Sequence, residues 1–441
     1  MSNILYRLGP LITNVKALQA FQVLRQGATI LIAIMLAKSS LALEDIGHYE
    51  LLFYVGFTLT AFWIGGLIQG MLAKYPQLKV EQRPAFLWNA YWVMVGLATL
   101  VLMALLFARQ PILQFLTGQP DLPYYDLFVW FLWIQAPAFL LENIYLLLNQ
   151  PRRIVAFGLA SFGMQVTAVL VPVFMGLGLY WAFWGLILTA IVKHVWLWTV
   201  LMRQSAVQMP KSRQELYWVY TSIPLILYTL IGGLHQSFDN WLVNYSYQGD
   251  ERIFAIFRYG ARELPFALAL SGAFGSALLP VVAGELEEGL RQIRDKSRKL
   301  FHFLFPLSIG LILINHWLFP LVFSESFEES VIVFNTFLLI TSSRLIFSRT
   351  VLVGLNENRV VLYISLLELP INIVLSFLLV PHFGLAGIAM GTVVAFTFEK
   401  VGLCWYLNYK YRIKMAQYTD LGWFWAYSAA LLGSFALSLY I

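Results

Sequence analysis

The amino-acid sequence predicts an all-α integral membrane protein built as two pseudo-symmetric six-helix lobes plus one additional C-terminal span. Three observations predict it: an apolar composition, a series of apolar runs of membrane-crossing length, and an internal repeat. Of 441 residues, 60% are hydrophobic and 12% are charged, and the mean hydropathy is +0.72. A soluble domain carries roughly 25% charged residues. The net charge of +6 does not point to nucleic acid, because the basic residues sit at the ends of apolar runs, where they orient a chain against a membrane. Cys404 is the single cysteine, which excludes disulfides and cysteine-based metal sites.

A helix rises about 1.5 Å per residue, so about 20 apolar residues cross the hydrocarbon core. Thirteen runs qualify: 17–37, 46–72, 86–107, 123–148, 154–175, 180–202, 216–245, 253–280, 300–323, 329–350, 359–380, 384–407 and 420–440. The first carries Arg25 in its middle and no small-residue cleavage site, so it reads as a retained span. Nineteen Lys and Arg fall in the connections on the amino-terminal side of the membrane. Only Lys38, Arg109 and Arg252 fall on the other. That asymmetry places the amino end in the cytoplasm. The stretch 284–299 mixes acids and bases and reads as a solvated inner loop. Pro137, Pro224, Pro265 and Pro370 lie inside runs and are expected to kink or break them.

The repeat rests on three anchors. Leu148-Asn149-Gln150-Pro151-Arg152 returns as Leu355-Asn356-Glu357-Asn358-Arg359, and Glu44-Asp45-Ile46 as Glu251-Arg252-Ile253, both 207 residues on; Gly178-Leu179 with Gly185 returns as Gly384-Leu385 with Gly391, 206 on. Six spans per copy return the chain to its starting side, so both copies share one orientation about an axis along the membrane normal. The expected division is an N-lobe 1–205, a C-lobe 206–408 and a peripheral span within 409–441.

Charges inside spans mark candidate function, since each is costly in lipid. Asp239 and Arg258 fall at similar depths in adjacent spans, and an ion pair between them is geometrically natural. Arg262 lies one turn deeper on the face of Arg258, and His235 one turn deeper on that of Asp239. A guanidinium gives bidentate hydrogen bonds to phosphate oxygens. Arg25 and Arg262, with Arg258 beside the latter, are therefore candidates for holding a diphosphate headgroup; internal salt bridges are the alternative. Asp239 and Glu368 are candidate carboxylates for a coupling ion, with His235 as a relay or a hydrogen-bonded structural residue. Glu142 is repeat-equivalent to Arg349, and Lys193 to Glu399. These opposite charges are candidates for a cytoplasmic gate; Lys193 and Arg349 snorkelling to the surface is the alternative.

The stretches LEDIGHYELL, SFDNWLV, FRYGARELP and LVPHFGLAGIAMGTVVA resemble those of the polysaccharide transporters, or O-antigen-type flippases, of the multidrug/oligosaccharidyl-lipid/polysaccharide exporter superfamily. The resemblance covers about residues 10 to 407, and it departs from the family's usual twelve or fourteen spans. It implies translocation of an isoprenoid-diphosphate-linked oligosaccharide across the inner membrane, alongside the polymerase and glycosyltransferases of the same pathway, with membrane lipids as surroundings. No GxxxxGK[ST], HExxH or GxSxG motif occurs, so no enzyme site, cofactor or nucleotide is called for. Energy is then expected from an ion gradient, the membrane potential or product removal. The rival readings are an ion-coupled drug or metabolite antiporter and a membrane glycosyltransferase or polymerase. The second would need a larger extramembrane loop than this chain offers.

Overall fold

The computed structural model describes residues 13–209, 216–262 and 264–440. Its regular structure is helical, with no strand among the described residues. Ten helices there are long and apolar enough to cross a membrane, or eleven when the bent pair Ser330–Arg344 and Ser348–Gly354 counts as one span. This is the build of a multi-pass membrane protein. Only helices satisfy every backbone polar group within their own segment, as lipid requires of an apolar span.

The chain forms two compact units, Met1–Ser237 with Tyr247–Phe254, and Phe238–Ser246 with Ala255–Ile441. The division falls within the seventh apolar run, about thirty residues beyond the expected boundary after residue 205. Unit 1 contains α1 (Asn14–Ala37), α2 (Leu43–Lys74), α3 (Arg83–Phe107), α4 (Arg109–Thr117), α5 (Tyr125–Ala138), α6 (Leu141–Leu147), α7 (Pro151–Phe174) and α8 (Gly178–Met202). Helix α9 (Tyr217–Ser246) begins in unit 1 and ends in unit 2, and α10 (Glu251–Gly260) does the same. Unit 2 continues with α11 (Pro265–Gly284), α12 (Leu286–Val322), α13 (Ser330–Leu338), α14 (Ile340–Arg344), α15 (Ser348–Gly354), α16 (Asn358–Tyr411) and α17 (Leu421–Ser438).

Among the described residues each of the thirteen expected runs is largely helical, but only ten or eleven helices are long and apolar enough to count as spans; the departures are local. The eighth run breaks into α10 and α11. Proline at 265 disfavours the helical conformation in the residue before it, and Leu264 is extended at φ −60°, ψ 114°. The stretch 284–299, expected as a solvated loop, is instead helical from Leu286 on, as the first part of α12. Leu290, Ile293, Ser297 and Phe301 recur at helical spacing and are buried. On the exposed side, Arg291 pairs with Glu288 one turn back. Helix α16 is two arms joined at Gly384, whose φ of 57° and ψ of −137° turn the chain back. Pro370 and Pro224 lie inside α16 and α9 without breaking them.

The repeat is visible in its turns. Asn149 and Asn356, 207 residues apart, both adopt the left-handed conformation (φ 55° and 63°). Each turn is closed by a matching bond: Gln150 N–H to the Tyr145 carbonyl and Glu357 N–H to the Leu352 carbonyl, both 2.9 Å. Gly178 and Gly384 are likewise both at positive φ. Small residues then let arms close. A Cβ on Gly391 would lie 2.0 Å from Ser376 Oγ and 2.8 Å from its amide nitrogen, and one on Gly185, the repeat counterpart, 2.8 Å from the Ala168 carbonyl. Overpacking of this kind costs about 1–3 kcal/mol. Gly391→Ala is therefore expected to lower the melting temperature of the purified protein, whereas Gly96→Ala, with nothing within 4 Å of a new Cβ, is expected to leave it unchanged or raise it.

In unit 1, α1 packs on α7: Phe21 stacks on Phe157 at 6.0 Å above Gly158, where a Cβ would meet the Phe21 ring at 2.9 Å. In unit 2, Phe305 of α12 stacks on Tyr427 of α17 at 5.3 Å. Glu357, in the turn before α16, accepts bonds from Lys410, Tyr411 (2.5 Å) and Tyr406 (3.4 Å) at the far end of that helix. The Lys410 and Tyr411 donors hold its carboxyl below the ordinary value of 4.5. A group lowered on folding adds stability above its unfolded pKa and loses it as pH falls through the folded one. The melting-temperature gap between wild type and Glu357→Gln is thus expected to narrow as pH drops below 4.5.

Candidate functional site

The most organised polar cluster lies inside unit 2, where the last part of α9 meets both arms of α16. Asn372 and Ser376 are one turn apart on the first arm, and Thr392 is on the second; all three are buried. Asp239 accepts a hydrogen bond from Thr392 Oγ1 at 2.7 Å and another from Asn372 Nδ2 at 3.1 Å. Ser376 Oγ donates to Asn372 Oδ1 at 2.9 Å. A threonine hydroxyl has one hydrogen. With that hydrogen on Asp239, the 3.3 Å contact between Thr392 Oγ1 and Asn372 Oδ1 brings together two oxygens with lone pairs available. The cluster therefore gathers carboxylate, amide and hydroxyl oxygens around one negative charge. Oxygen donors of this kind suit a small hard cation.

The ion pair expected between Asp239 and Arg258 is corrected by this arrangement. The carboxylate turns toward α16, where two neutral donors satisfy it. Arg262 lies in the break between α10 and α11, with its guanidinium 4.9 Å above the Tyr259 ring and Nε donating to the Arg258 carbonyl at 3.3 Å. Arg258 and Arg262 thus share one helix end in unit 2. The side chain of His235 lies outside the described residues.

Unit 2 holds a second cluster. Glu399, 2% exposed, pairs with Lys400 at 2.8 Å and accepts from Ser365 Oγ at 3.3 Å. Buried Glu368 lies within electrostatic reach of Glu399, Lys400, Arg349 and Arg344, and the Arg344 guanidinium sits 5.7 Å from the Phe396 ring. In unit 1, Glu142 of α6 lies within reach of Arg25 of α1 and Lys193 of α8. Glu142, Lys193, Arg349 and Glu399, the candidate gate residues, therefore each have a counter-charge inside their own unit.

Arg25 occupies an exposed position in the middle of α1, and its neighbours were not singled out by the sequence reading. Gln22, Gln26 and Thr29 share its face and are exposed with it, while Ala17, Phe21, Ala28 and Ile32 bury the opposite face. The signal was available, since 22, 25, 26 and 29 follow the i, i+3, i+4, i+7 spacing of one helical face. Asn372, Ser376 and Thr392 carry no charge, so in sequence nothing sets them apart from other small polar residues inside spans. His194 is fully bonded: Tyr91 Oη lies 2.9 Å from Nε2 and the Ile134 carbonyl 3.1 Å from Nδ1. Because a carbonyl can only accept, Nδ1 donates to Ile134, while Trp198 Nε1 donates to Tyr91 Oη at 2.7 Å. Both ring nitrogens are thus held by neighbouring helices, which is a structural role.

Solved structures share this architecture. An inward-facing multidrug resistance MATE family transporter of the MOP superfamily superposes with a TM-score of 0.64 at 15% identity, covering 89% of this chain and 97% of the other. A MOP superfamily transporter from Pyrococcus furiosus, described as having a binding pocket of reverse polarity, gives 0.58 at 14% identity, with 89% and 95% covered. A Vibrio cholerae MATE transporter gives 0.53 at 18%, with 89% and 98% covered. No protein-family model and no curated protein sequence matches the chain. The chain thus has a transporter fold, of the MATE type found in the MOP superfamily.

Proposed function

We propose that this protein is a cation-coupled, alternating-access transporter of the inner membrane, amino end in the cytoplasm, that moves an anionic, isoprenoid-diphosphate-linked oligosaccharide to the outer leaflet. The observation that carries the substrate reading is Arg25, exposed in mid-span within a stripe of Gln22, Gln26 and Thr29. Such a face is costly against lipid and stable against water or a polar ligand. Arg25 binds a phosphate oxygen pair, and the glutamines and threonine bond sugar hydroxyls. Asp239, held by Asn372 and Thr392, carries the coupling cation.

A second reading has its own support. The fold likeness extends to multidrug resistance transporters, and a single deep carboxylate such as Asp239 fits an ion-coupled antiporter of drugs or metabolites. The two readings part at the charge of the substrate. In a strain lacking the protein, the flippase reading expects lipid-linked oligosaccharide to accumulate on the cytoplasmic leaflet. The antiporter reading expects normal surface polysaccharide and greater sensitivity to cationic drugs.

A further inference from the structure

We infer that the coupling cation leaves the Asp239 cluster toward the inner face along a polar track inside unit 2, and that Glu368 is the residue that receives it. This rests on the cation-coupled reading above. On the first arm of α16, Ser365, Glu368, Asn372 and Ser376 follow a spacing of three, four and four residues, so they line one face of one helix. On the second arm, Thr392 and Glu399 are seven residues apart, two turns along a common face. The two faces meet at both ends: Thr392 reaches Asn372 at 3.3 Å, and Ser365 reaches Glu399 at 3.3 Å. Glu368 lies between, about 6 Å along the axis from Asn372.

The track is enclosed. Asn372 and Ser376 are 0% exposed, Thr392 4% and Glu368 7%. Carboxylates in such surroundings are costly, and those that persist pair with cations or line the path of an ion. Its charge gradient has a direction. The outer end holds Asp239 bonded to neutral groups, whereas the inner end combines Glu368 and Glu399 with Lys400, Arg344 and Arg349. Three bases against two acids make the inner end a place where a cation is passed on and not retained. The amino end of α16, beyond Glu368, is the side that the Lys and Arg distribution assigns to the cytoplasm. Conduction needs this sequence of a binding site followed by a weaker one.

The test separates the track from the cation site. Reconstituted protein is loaded with Na⁺ or equilibrated at acid pH, and release to the inner face is timed with ²²Na⁺ or a pH-sensitive dye. Glu368→Gln is expected to slow release of the coupled ion at least ten-fold while leaving its equilibrium binding within two-fold of wild type. Glu368→Asp is expected to restore an intermediate rate. Wild-type release in Glu368→Gln, with binding abolished in Asp239→Asn, overturns the track and leaves the cation site standing. Binding unaltered in Asp239→Asn overturns both. Should Glu368→Gln lower the melting temperature, the Glu368→Asp rate decides: release as fast as wild type from that shorter side chain overturns the track.

Discussion

Asp239→Asn is expected to abolish gradient-driven transport, by at least ten-fold, without unfolding the protein. The amide keeps the shape of the carboxylate and can still accept from Thr392 Oγ1, now 2.7 Å from the Asp239 carboxylate. What it removes is the only negative charge among the hydrogen-bonded partners of that cluster. A neutral amide cannot balance a desolvated cation. Binding also reports on itself through stability. A ligand at a hundred times its Kd stabilises the folded state by about 2.7 kcal/mol. Wild type is therefore expected to melt at a higher temperature in saturating coupling cation, and Asp239→Asn to show no such shift. Thr392→Val, which keeps the charge and removes one oxygen, is expected to fall between the two.

The second large effect is at Arg25. A hydrogen bond involving a charged group contributes roughly 1.5–3 kcal/mol, so Arg25→Ala is expected to weaken binding of a diphosphate-bearing lipid roughly ten- to hundred-fold. Arg25→Lys is expected to recover only part of this, because an ammonium keeps the charge but not the planar pair of donors. The side chain is exposed, so removing it creates no core cavity. Lys193 remains as a counter-charge to Glu142, so the melting temperature of Arg25→Ala is expected to stay near that of wild type. Wild-type affinity in Arg25→Ala, measured with short-chain prenyl diphosphate in detergent, would remove Arg25 from the substrate site.

How much of this was legible in the sequence depends on which forces set each feature. The spans were legible because hydrophobic length alone decides whether a helix crosses a bilayer. The repeat was legible because its turns need particular residues, and Asn149 and Asn356 do adopt the left-handed conformation that asparagine tolerates. The amino-terminal extension of α12 was hidden by its charges. Only the spacing of Leu290, Ile293 and Phe301 revealed a helix there. Depth counting brought Asp239 and Arg258 together because it weighs charge and ignores neutral donors. In the folded unit, Asn372 and Thr392 satisfy the carboxylate, and their proximity to it depends on the turn at Gly384, 145 residues further along the chain. Arg25 was legible as a charge in mid-span, but the nearby Glu142 was not, because it comes from another helix far along the chain. That Arg25 points away from the packed face of α1 could be read only by placing Gln22, Gln26 and Thr29 on the same face.

The claim on which the account depends is that a cation held at Asp239 drives the movement of an anionic lipid-linked sugar. The direct measurement is translocation of fluorescent prenyl-diphosphate oligosaccharide in proteoliposomes under imposed Na⁺ or proton gradients. The account predicts that one of the two gradients accelerates translocation, that its reversal slows it, and that Asp239→Asn responds to neither. Translocation at the same rate under every gradient, in wild type and variant alike, would contradict it.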